Sequence, residues 1–153
     1  MLEGVKNVAW QDLAQPSWNR TGEPGAALQA LEAVETEEQA QDAYNRLLYA
    51  VGNNHAGTYY PALLQVLPFL RELLDHPRAR VRETVLDILI DVAFSFEPEP
   101  EFAEVGGQSL RGLVHAALQQ MRSRVAECAG SANSARETEL AGELLEGIAA
   151  EDT

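Results

Sequence analysis

Two amides, a histidine, a threonine and two tyrosines crowd into VGNNHAGTYYP, Val51 to Pro61, between a pair of apolar runs. Residues of these types do acid–base chemistry when a histidine is held within hydrogen-bond reach of a hydroxyl and of a group that orients it. The same composition also makes a corner between two helices. Gly52 and Asn53 can take the left-handed conformation that ends one helix, Thr58 can cap the next, and Pro61 suits its first turn. Asn54 and His55 would then serve loop carbonyls, with Tyr59 and Tyr60 packing across the junction. Between two apolar helices the corner is the expected reading.

The sequence spells out no other reaction chemistry. Cys128 is the single cysteine, so no intramolecular disulfide and no cysteine-based zinc site can form, and no nucleophile motif surrounds it. His55, His76 and His115 lack the i, i+4 partner of a helical zinc site. Gly52, Gly57, Gly106 and Gly107 follow no strand and so make no phosphate cradle. No metal, no cofactor and no enzymatic activity is expected.

Charge is more informative. The 153 residues carry 24 acids against 11 bases, a net charge of −13 spread along the whole chain. Such a surface repels nucleic acid and anionic membranes and attracts a basic protein. Acids recur three or four residues apart as Glu38 and Asp42, as Glu83, Asp87 and Asp91, and as Glu139, Glu143 and Glu146. They form either the solvated faces of amphipathic helices or stripes that merge into one negative groove. The stretch EPEPEFAE adds Glu97, Glu99, Glu101 and Glu104 around Phe102. Its prolines keep it extended, and Phe102 either folds back on the core or anchors a partner.

The elements that must position these residues are helices. One domain is expected over 1–153, and sustained period-two alternation is absent. Ala27, Leu28, Leu31 and Val34 share a face in a helix over 26–34. Thr36 and Gln39 form a capping box for 36–51, where Ala40, Ala43, Tyr44, Leu47, Leu48 and Val51 make one stripe. The helix over 61–75 is apolar almost all round and is expected to be the most buried, bent or split at Pro68. Val81, Val85, Ile88, Leu89 and Val92 point inward from 78–94, with Asp91 on the outer stripe. A helix over 109–128 and a last one over 134–149, opened by a capping box of Ser134 and Glu137, complete three hairpins: 26–51, 61–94 and 109–149. Trp10 and Trp18 are expected to cover the first. The fold class is all-α, a right-handed stack of about three antiparallel hairpins, with a compact helical bundle as the alternative. The opening residues mix polar and apolar types, and no apolar run is long enough for a membrane span, so no signal segment is expected and the chain reads as cytosolic.

LPFLRELLDHPRARVRETVLDIL resembles a HEAT-type repeat: a proline-bent first helix, a short turn with Asp75 and Pro77, then Val81 and Arg82 opening the second helix. In such a repeat the arginine after the valine can serve exposed carbonyls of a neighbouring repeat. The longer string LLYAVGNNHAGTYYPALLQVLPFL is similar to small bacterial HEAT-like proteins that accompany secreted polymorphic toxins as immunity proteins. That resemblance implies a protein that binds and occludes a cognate toxin without catalysis, and the acidic stripes would suit a toxin whose active site is basic because it handles nucleic acid or a phosphorylated nucleotide. It also implies a use for the loop, which can present His55 and Tyr59 at one edge of an acidic groove. An adaptor or scaffold without a toxin partner is the alternative.

Overall fold

Thr36 opens its helix with a reciprocal pair of hydrogen bonds. Its hydroxyl accepts from the Gln39 backbone, and the Gln39 side chain accepts in return from the Thr36 backbone. In the computed structural model, which describes residues 1–131 and 134–151, seven α-helices follow from such local signals. They are α1 (Glu23–Glu32), α2 (Glu37–Val51), α3 (Leu63–Leu73), α4 (Ala79–Ile90), α5 (Leu110–Gln120), α6 (Arg122–Ala129) and α7 (Ala135–Glu151). The chain is all-α.

The helices pair as three antiparallel hairpins, and the hairpins lie side by side. In one layer α3 packs against both α1 and α5; in the other α4 packs against both α2 and α7. The core runs between the layers, from Leu28 and Leu31 through Leu67, Leu70, Val85 and Leu89 to Val125 and Leu144. Trp10 closes the first end as expected: it is buried, its indole N–H donates to the Val5 carbonyl, and its ring lies 6.1 Å from Phe69.

Several elements differ from expectation. α1 begins three residues early because Pro24 suits a helix start, where its missing N–H costs nothing. α3 runs unbroken through Pro68, which faces solvent, and α4 is at least as buried because it touches helices of all three hairpins. The last turn of the expected 78–94 helix winds as a π-helix, Asp91–Ser95. The helix expected over 109–128 is divided at Met121 into α5 and α6.

The least expected feature is strand. β1 (Gly52–Asn53) pairs antiparallel with β2 (Thr58–Tyr59), which pairs in parallel with β3 (Glu97–Pro98). β4 (Glu104–Val105) and β5 (Gln108–Ser109) form a second small hairpin. The corner VGNNHAGTYYP is therefore a β-hairpin rather than a pair of helix caps. Gly52 is extended, Gly57 takes the left-handed conformation, and Thr58 caps nothing because α3 starts at Leu63 behind an uncapped Ala62. Pro61 lies ahead of that helix, in the turn that leads into it. The Asn53 carboxamide holds the tip by accepting from the backbone N–H groups of His55 and Ala56, each at 3.1 Å.

Candidate functional site

The second helices of the hairpins enclose an open concavity of about 380 Å³. α2 contributes Glu37, Gln41 and Tyr44, α4 contributes Arg80, Glu83 and Asp87, and α7 contributes Arg136. Each set is spaced three or four residues along its helix, which puts its members on one face. Glu83 and Asp87 are thus brought together as the acidic stripe predicted, but the lining is of mixed charge. Arg136 donates to the Asp87 carboxylate at 3.2 Å, and the Ser134 hydroxyl donates to Glu83 at 2.7 Å.

The uniform negative groove is corrected accordingly. Glu38 and Asp42 are exposed on α2 but lie outside the lining, because Ala43, Leu47 and Val51 turn inward and leave Glu37 and Gln41 facing α4. Glu139, Glu143 and Glu146 are likewise exposed and outside it. Asp91 is no outer charge: it is half-buried, it accepts a hydrogen bond from the Tyr44 hydroxyl, and burial pushes its carboxyl up from the ordinary range.

His55 and Tyr59 part company. Alternate residues of a strand point to opposite sides, and Tyr59 in β2 is turned into the core at 1% exposure, so it presents nothing to a partner. His55 at the hairpin tip is exposed, its ring edge-on to Tyr49 at 6.5 Å. Tyr49 in turn stacks on Trp18 at 4.7 Å, and the Trp18 indole N–H donates to the Tyr49 carbonyl. This exposed ladder was missed in the sequence, where Trp18 reads as end cover and Tyr49 lies outside the apolar stripe of α2. The only signal was Tyr49 itself, a large aromatic on the polar face.

The acidic loop is tied to the hairpin. The Glu97 N–H donates to the Gly57 carbonyl at 2.9 Å and the Glu99 N–H to the Tyr59 carbonyl at 2.8 Å. Glu97 and Glu101 are exposed, Glu99 is half-buried, and Phe102 folds back so that its ring lies 5.5 Å from Tyr60. Burial, and then the charges of Glu99 and Glu101, raise the Tyr60 phenol above its usual range.

Arginines bridge the hairpin junctions, but the one expected to serve a neighbouring hairpin's carbonyls, Arg82, is not among those that do. Arg78 reaches back to the Val34 carbonyl at 2.5 Å, and Arg124 reaches back to the Leu74 carbonyl at 2.6 Å. Arg82 does otherwise. It donates to the His76 carbonyl of its own hairpin and, through two bonds, to the buried carboxylate of Glu137 in the third. Burial alone would raise the Glu137 carboxyl, but the hydrogen bond and charge of Arg82, a bond from Cys128 and the charge of Arg124 outweigh it and hold it low. Glu137 therefore fills only half of the expected capping box: its N–H donates to Ser134 at 3.2 Å while its side chain serves Arg82.

Among the described residues, no group of three or more His, Cys, Asp or Glu is arranged to hold a metal ion, and no helix is long and apolar enough to cross a membrane. Neither a protein-family model nor a curated protein matches the chain.

Proposed function

We propose that the chain is a binding protein of the immunity type, which acts in the cytoplasm by occluding a cognate toxin. The observation that supports this best is the concavity between α2, α4 and α7. It places Glu37, Glu83 and Asp87 on one preformed face of a molecule of net charge −13. A rigid concave face recognises a partner at low ordering cost, and a surplus of negative charge steers a basic partner onto it quickly. Arg80 and Arg136 on the same face favour a partner that carries its own carboxylates among the bases.

Co-expression with the product of the adjacent gene tests the proposal. Growth should be rescued by the wild-type chain and lost with Glu37→Lys/Asp87→Lys, provided the variant keeps its helical circular dichroism. A neighbour that is harmless alone, or toxic in both cases, would overturn it. An adaptor differs in its partner rather than its surface, and would bind a host protein by the same face with no toxin gene nearby.

A further inference from the structure

Phe102 belongs to a second concave surface. With Leu13, Pro61, Leu64 and Val105 it walls a groove of about 380 Å³, built where three distant stretches of chain meet at the start of α3. These side chains are half-exposed, and Leu13, Leu64, Phe102 and Val105 pack their inner edges on the core. The walls are held by main-chain hydrogen bonds. Ala62 N–H donates to the Ala14 carbonyl at 3.0 Å, Phe102 N–H to Glu99 at 2.8 Å, and Leu110 N–H to Ala103 at 2.9 Å. The groove is preformed, so little ordering cost falls on it when it is filled.

Its charge is of one sign. Asp12 and Glu104 are exposed in its lining, Glu101 is exposed nearby beside Tyr60, and no lysine or arginine lines it. No ion pair joins Asp12, Glu101 or Glu104 to a base among the described residues. The concavity between α2, α4 and α7 differs on both counts, being polar and carrying Arg80 and Arg136 against its acids. An apolar trough with an acidic rim selects for two properties at once. A large apolar side chain gains by leaving water, and cations on either side of it are held by the rim, whereas an acidic segment of equal hydrophobicity is rejected.

We infer that this groove docks a basic segment of a partner protein, a short stretch in which one large apolar side chain is flanked by arginines or lysines. The groove shares no lining residue with the concavity, so the inference goes beyond the immunity reading and does not rest on it.

A labelled peptide of sequence Arg-Arg-Leu-Trp-Arg-Arg, with Glu-Glu-Leu-Trp-Glu-Glu as its counterpart, tests this by fluorescence anisotropy on the purified full chain. The basic peptide should bind saturably and the acidic one should not. Asp12→Lys/Glu104→Lys should weaken binding about tenfold or more, while Glu139→Lys/Glu143→Lys, an equal charge change at exposed residues outside both concavities, should leave it within about twofold. Phe102→Ala should also weaken it; if that variant loses its fold, the rim variant still decides. Absence of saturable binding overturns the inference, as does equal loss in the two double variants, which would mean diffuse charge attraction. Because no toxin enters the assay, either proposal can fail while the other stands.

Discussion

Arg82 and Glu137 face each other through two parallel hydrogen bonds of 2.8 Å, 55 positions apart, at the junction of the second and third hairpins. Both are buried, Arg82 at 6% exposure and Glu137 at 1%. Removing one partner strands the other's charge in the core, so Glu137→Ala or Arg82→Ala should each cost about 3–5 kcal/mol. Replacing both with Leu or Met should cost much less, because the desolvation penalty goes with the pair. Urea denaturation of the two single variants and the double variant gives these values and their coupling.

Glu137 and Asp91 should act oppositely on the pH dependence of stability. The carboxyl of Glu137 is held low, so its contribution is present above the ordinary carboxylate range and is lost as pH falls through the depressed folded value. Asp91 is raised by burial, so its contribution is full below the ordinary range and is lost as pH rises through the elevated folded value. Tyr44→Phe removes the hydroxyl that solvates the Asp91 carboxylate and should cost about 1 kcal/mol at neutral pH. The loss should shrink once Asp91 is protonated, because the neutral carboxyl still accepts from the hydroxyl but without a charge. Melting curves of wild type, Glu137→Gln and Tyr44→Phe across the acidic range separate the two slopes.

Two glycines should respond differently to a methyl group. A Cβ on Gly52 would stand 2.0 Å from the Thr58 carbonyl oxygen and 2.8 Å from the Tyr59 Cα. Both are backbone and cannot step aside, so Gly52→Ala should force β1 and β2 apart and cost about 3 kcal/mol. A Cβ on Gly147 would stand 1.4 Å from the Phe94 ring, but that ring is 42% exposed and can swing outward. Alanine also favours a helix over glycine by about 1 kcal/mol, so Gly147→Ala should change stability by no more than about 1 kcal/mol. Chemical denaturation of both variants checks the contrast.

Cys128 should be inert while the chain is folded. It is 1% exposed, and burial foremost pushes its thiol to about 11, which leaves very little thiolate at neutral pH. Its reaction with a disulfide reagent should follow the unfolding transition with denaturant. Fast labelling of the native protein would contradict this burial.

The sequence by itself determined the helices and their inward faces. Thr36 with Gln39 and the i, i+4 stripe of Ala43, Leu47 and Val51 act across one or two turns, so their neighbours in sequence are their neighbours in space. Only the tertiary structure decided what distant residues do to one another. Two-residue strands carry no readable period, so the pairing of Thr58 with Glu97 became visible only once the second hairpin folded back on itself. Acidic spacing placed Glu83 and Asp87 on one face, yet whether that face was a negative groove depended on Arg80 and Arg136. Glu137 looked like an ordinary capping residue, and its role as the partner of Arg82 was set by the packing of α7 on α4. Caps and amphipathic faces depend on local backbone geometry, whereas charge pairing and burial depend on which surfaces meet, and hydrophobic periodicity does not encode that choice residue by residue.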